Sequence, residues 1–161
     1  MRGLTPILMV CLLAFACDDD SSEDTEESQI AIGCMHFMHG PHCSSPEAAD
    51  DDPPCGAQAK AHQHFKVDLD QGTTLEFNAE QHANHYVLLG AESDVTITDA
   101  DGNAVESKSD EAPGDQCSAA VRAVQYELHQ AIYTLTFTGT GVIDVVIHRV
   151  DAGSHMHDDH G

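Results

Sequence analysis

From about residue 62 to residue 150 the chain alternates apolar and polar residues with a period of two, and short clusters of Gly, Asp and Asn interrupt the alternation. A strand turns successive side chains to opposite faces, so this pattern predicts a series of half-buried strands. Phe65, Val67 and Leu69 share one face of the first, with His62 and His64 on the other, and Gln71-Gly72 turns the chain. Leu75, Phe77 and Ala79 alternate next, and Tyr86 to Leu89 is an apolar run suited to a buried strand. Val95 and Ile97 lead into Asp99-Ala-Asp-Gly-Asn103, a hairpin signal, with Val105 on the return and a polar loop from Lys108 to Gln116. Tyr133, Leu135 and Phe137 sit between threonines, and Gly139-Thr-Gly141 precedes Ile143, Val145 and Ile147. Ser118 to Leu128 fits helical and strand spacing alike; its neighbours favour a strand. The expected fold is all-β: a single antiparallel β-sandwich, jelly-roll-like, over residues 30–152.

The N-terminal region has a different texture. Residues 1–16 read as an export signal, with Arg2 at the positive start, an apolar run from Leu4 to Phe15, and the small-x-small pattern Ala14-Phe15-Ala16. The run is too short to span a bilayer as a helix. Leu13-Ala-Phe-Ala-Cys17 resembles the lipobox of bacterial lipoproteins over these five residues. The resemblance implies cleavage before Cys17, a lipid anchor on Cys17, and a place in a bacterial cell envelope on its periplasmic or cell-surface side. Residues 17–29 then form a lipidated cysteine and an acidic, serine-rich stretch without core-forming residues, expected to be a disordered tether. Ile30-Ala-Ile32 is expected to open the ordered part as a short strand.

Cysteine arithmetic fits that address. Of Cys11, Cys17, Cys34, Cys43, Cys55 and Cys117, the first leaves with the signal and the second would carry lipid. The remaining four admit three pairings. Cys43–Cys55 as a local loop and Cys34–Cys117 as a long-range staple are the favoured pair, each typically stabilising by about 2–4 kcal/mol. Cys34, Cys43 and Cys55 as metal ligands is the other reading.

The chain carries 28 acidic against 6 basic residues, a formal net charge of −22. A phosphate backbone is bound through clustered Lys and Arg, so the charge argues against nucleic acid and anionic membrane surfaces as partners and favours cations, or simply a solvated surface.

Chemistry is concentrated in the histidines. All 12 lie beyond the signal, most of them clumped. Gly33 to Cys43 carries His36, His39 and His42 with Met35 and Met38 beside them, and Gly40-Pro41 is read as keeping that stretch off a helix. His62 with His64 at i, i+2 project from one strand face, His82 and His85 form a third group, and His155, His157 and His160 form a His-rich C-terminal tail over 153–161. Imidazole is the commonest ligand for Zn and Cu, and a site needs three or four donors. Met35, Met38 and Met156 each abut a histidine, which tilts the expected metal toward copper over zinc or nickel. Against this stand plainer readings: an exposed disulfide-bounded loop for 36–42, a solvated strand edge for His62 and His64, ordinary polar-face residues for His129 and His148. Asp99, Asp101 and Asn103 fit a β-turn better than a Ca²⁺ loop. No catalytic motif is present.

The run from His64 to Val150, with its Val95-to-Asn103 hairpin and its Ala131-Ile-Tyr-Thr-Leu-Thr-Phe137 strand, resembles the small β-sandwiches of secreted bacterial proteins, nearest the pre-peptidase C-terminal domain. The resemblance implies a jelly-roll-like accessory or binding module without catalytic residues. Two functions follow: an exported, lipid-anchored protein that binds or buffers Cu or Zn through its His/Met cluster, or a surface adhesion or scaffolding module without metal.

Overall fold

The computed structural model describes residues 23–40, 42–44, 58–71 and 74–150. Among them a helix α1 (Glu23–His39) precedes strands β1 (His42–Ser44), β2 (Gln63–Asp68), β3 (Thr74–Ala79), β4 (Ala83–Leu89) and β5 (Asp94–Thr98). There follow β6 (Ala104–Val105), β7 (Ser107–Glu111), β8 (Arg122–Leu128), β9 (Ala131–Thr138) and β10 (Val142–Arg149). The strands form two sheets, ordered β1-β2-β10-β4-β8-β7 and β3-β9-β5-β6. β1 pairs with β2 in parallel, and the other strand pairings are antiparallel. The fold is the expected all-β sandwich, and the ambiguous segment before Leu128 supplies β8.

The period-two alternation does what the pleat requires. Phe65, Val67, Phe77, Val87, Leu89, Ile97, Leu135, Phe137, Val145 and Ile147 meet between the sheets and are at most 2% exposed. Burying a side chain of this size contributes about 1.5–3 kcal/mol, which makes this layer the main source of cohesion. Tyr126 bridges the sheets by donating its hydroxyl proton to the Val95 carbonyl at 3.1 Å, and burial pushes its phenol pKa up. In the β5–β6 turn the Asp99 carboxylate accepts the backbone N–H groups of Asp101 and Asn103, at 2.9 and 2.8 Å. That is turn chemistry, as expected for Asp99, Asp101 and Asn103.

The outer face of the larger sheet is where the sequence reading needs correction. It is not solvated at the β2–β10–β4 region: α1 lies across it. Ile30, Cys34 and Phe37 fall on one stripe of the helix and pack with Tyr86, Leu88, Val146, Ala120 and Cys117 in a second core. Residues 30–32 are therefore helical, not a strand, and the helix begins at Glu23, inside the stretch expected to be a disordered tether. Gly40-Pro41 does not keep His36 and His39 off a helix; it ends the one they sit on. Gly40 adopts φ 66° and returns its N–H to the His36 carbonyl at 3.1 Å, a left-handed C-terminal cap.

Cys34 and Cys117 form a disulfide across 83 residues of sequence, the expected long-range staple. In the chain-entropy picture a loop of that length contributes on the order of 4 kcal/mol. Cys55 lies outside the described residues, as do Cys17 and the tail from 153 to 161, so the proposed Cys43–Cys55 bond and the lipid anchor have no structural counterpart to compare.

Candidate metal centre

His62 stands immediately before β2, with φ 64°, a left-handed conformation that non-glycine residues adopt at a cost. Its backbone N–H is held by the Ile147 carbonyl of β10 at 2.6 Å. That tether sets His62 beside His148, which points to the same outer face because Ile147, its neighbour, points into the sandwich core. From above, α1 brings down His36. Gln29, Gly33 and His36 lie at i, i+4 and i+7, a second stripe next to the apolar one.

The three imidazoles converge. His36 Nε2 is 3.2 Å from His62 Nδ1, and His62 Nδ1 is 3.2 Å from His148 Nδ1. One ligand nitrogen from each lies within 4.8 Å of the others. Metal–nitrogen bonds of about 2.0–2.1 Å in tetrahedral geometry put ligand nitrogens about 3.3 Å apart. Two edges of the triangle are 3.2 Å, close to that length, and the third lies within 4.8 Å. His148 is buried, and His36 and His62 are half-buried.

The outward nitrogen of His148 fixes its tautomer. A carbonyl oxygen only accepts, so His148 Nε2–H donates to Gln29 Oε1 at 3.1 Å. In the neutral ring the lone pair is then on Nδ1, directed at His62. An imidazole ligand held through its other N–H by an amide or carboxyl oxygen is the usual support of a metal site. His62 Nδ1, which touches both partners, either carries the proton that the other two share or gives it up to a cation at the same place. A group of three histidines so arranged can hold a metal ion.

The expected donors divide. His36 and His62 come together as anticipated, although on a helix and a turn. His64, two residues on, goes elsewhere: its Nε2–H donates to Asp144 Oδ1 at 2.7 Å and its ring meets Phe37 edge-on. The pair His62/His64 thus does not act as one chelate. His39, Met35 and Met38 are exposed on α1, the last two at 53% and 63%. The backbone of His42 pairs with His64 in the β1–β2 register. His85 is buried, donating Nδ1–H to the Ala83 carbonyl and resting edge-on against Phe77. His82 stacks on His129 and donates to Glu127 at 2.9 Å. Lys108 joins the same carboxylate, and these contacts, His82 first, hold Glu127 below its usual carboxylate range. His155, His157 and His160 lie outside the described residues.

Sequence reasoning missed His148 and Gln29. His148 was visible in the β10 alternation as an outward residue, and only the unseen helix made that face an interior. Gln29 falls in the stretch expected to be a tether, although its spacing to Gly33 and His36 is helical. Comparison with protein-family models and with characterised proteins finds no match for this chain.

Proposed function

We propose that the protein binds a transition metal ion, Zn²⁺ or Cu²⁺, through His36, His62 and His148, and does so as an exported protein anchored by lipid on Cys17. The observation that carries the metal reading is the convergence of three imidazole nitrogens with the His148 tautomer set by Gln29. The donor set is all nitrogen, which suits Zn²⁺ and Cu²⁺. The exposure of Met35 and Met38 removes the main support for a thioether-rich Cu⁺ site. The export reading rests on the signal-like residues 1–16, the lipobox-like Leu13–Cys17, and a disulfide that suits an oxidising compartment. The strong negative charge draws cations to the surface. Binding or buffering of the ion is the function that follows.

Calorimetric titration of the full chain, purified without affinity tags or chelators, with Zn²⁺ and Cu²⁺ tests it. One ion per chain with Kd below ~10 μM supports the site, and weaker binding that does not saturate at one ion removes it, leaving the metal-free surface module. Loading to about 100 times Kd stabilises the fold by about 2.7 kcal/mol, visible as a rise in Tm.

A further inference from the structure

The disulfide and the candidate metal centre share one helix. Cys34 and His36 are two residues apart on α1, and the helix supplies His36 and Gln29 while the sheet supplies His62 and His148. The site therefore exists only while α1 is seated on β10 and β4. Besides the disulfide, the described contacts that seat it are buried Ile30, partly buried Phe37 resting on His64, close packing at Gly33, and the polar contacts Gln29–His148 and His36–His62, which belong to the centre itself. The outward side of the helix, with Ile32, Met35 and Met38, is exposed.

We propose that Cys34–Cys117 is a redox latch on the metal centre: oxidised, it holds α1 down and completes the histidine set; reduced, it lets the helix lift and the ion leave. This deepens the metal-binding reading and rests on it. The reductant is a dithiol. One of its thiolates attacks a sulfur of the Cys34–Cys117 bond to give a mixed disulfide and a protein thiolate. Its second thiol then displaces the other protein sulfur. The dithiol ends as a disulfide, and its two protons end on Cys34 and Cys117. Cys34 and Cys117 are 7% and 1% exposed, so attack requires a local opening around the bond, which the seated helix and a bound ion both oppose. At equilibrium such coupling is reciprocal: if losing the bond weakens ion binding, a bound ion makes the bond harder to reduce.

The test compares the oxidised full chain with the C34A/C117A double variant by Zn²⁺ titration, with circular dichroism confirming the sandwich in both. At least tenfold weaker binding by the variant is expected. Affinity within twofold of the parent, or tighter, overturns the latch while leaving the metal site standing. No binding by the parent removes the metal reading itself and the latch with it. If the variant does not fold, the reaction of the parent with a water-soluble trialkylphosphine decides. The phosphine becomes its oxide, water supplies the oxygen and the two protons, and both cysteines become thiols. Saturating Zn²⁺ is expected to slow this reduction at least tenfold, and an unchanged rate overturns the proposal.

Discussion

His148 and His62 meet Nδ1 to Nδ1 at 3.2 Å, one residue beyond the Gln63–Ile147 pair that closes the β2–β10 ladder. Two like ring nitrogens at that distance need a proton or a cation between them, and His148 already spends its N–H on Gln29. His148→Ala is therefore expected to lower Zn²⁺ affinity at least 100-fold, as are His36→Ala and His62→Ala. His64→Ala and His39→Ala are expected to leave affinity within about threefold. Zn²⁺ titration of the five variants checks this. If His64→Ala proved as damaging as His148→Ala, the ligand set drawn here would be wrong.

Gln29 touches no ion in this scheme; it orients a ring that does. Losing such an orienting partner typically costs 10–100-fold in metal affinity. Gln29→Leu keeps the helix and the side-chain volume but removes the acceptor, so affinity should fall in that range. Gln29→Glu, which retains an oxygen in place, should restore most of it. Co²⁺ absorption spectra report whether the altered site keeps its geometry. A Leu variant indistinguishable from the parent would assign Gln29 to helix packing alone.

At Gly33 the backbone of α1 packs close against the sheet. A Cβ there would lie 2.9 Å from Leu88 Cδ1, 3.0 Å from His148 Cβ and 3.2 Å from His148 Cγ. Leu88 is fully buried, so its displaced methyl group would have to be taken up within the core. Gly33→Val forces the helix outward, with an overpacking cost of about 1–3 kcal/mol. The same displacement moves His36 from His62 and pushes on His148. Urea unfolding should show the loss of stability, and Zn²⁺ affinity should fall at least tenfold in the same variant. A stability loss with unchanged affinity would show that the centre tolerates a shifted helix.

The sandwich was legible because alternation at Phe65, Val67, Phe77, Leu135, Val145 and Ile147 reports burial directly. The helix was not, for two physical reasons. Its apolar stripe is only three residues, Ile30, Cys34 and Phe37, one of them a cysteine, so the 3.6-residue signal is faint. Gly40-Pro41 reads as easily as a barrier to helix formation as it does as a helix end, where glycine just past the last turn is followed by proline. With α1 misplaced, the outer face of β10 looked solvent-facing and His148 looked ordinary. The clumping of His36, His39 and His42 pointed to the right stretch and the wrong partners. Spacing along a chain does not fix which residue of a helix faces which strand.

Arg122 on β8 locks the far side of the sandwich and gives a prediction about acid. Its Nε and one terminal nitrogen donate to the two oxygens of Asp110, at 2.8 and 2.6 Å, and its other terminal nitrogen reaches Asp94 at 2.8 Å and the Ser93 carbonyl at 2.6 Å. This ties β7 of the larger sheet to the start of β5 in the smaller one. The hydrogen bonds from Arg122 hold the Asp110 carboxyl below its ordinary value of 3.8, with burial opposing and the Arg122 charge helping. A carboxyl whose pKa is lower folded than unfolded stabilises the fold above its unfolded value, and the contribution disappears as pH falls through the folded one. The Asp110 side chain is 45% exposed, so solvent screening limits the effect to about 1 kcal/mol or less. Asp110→Asn should therefore be less stable than the parent at pH 7 by up to that amount, and the two should converge as pH drops well below 3.8. Urea unfolding from pH 7 down to pH 2.5 measures the gap. A gap that stays constant across that range would mean that Asp110 acts through shape and neutral hydrogen bonds, with its charge contributing nothing.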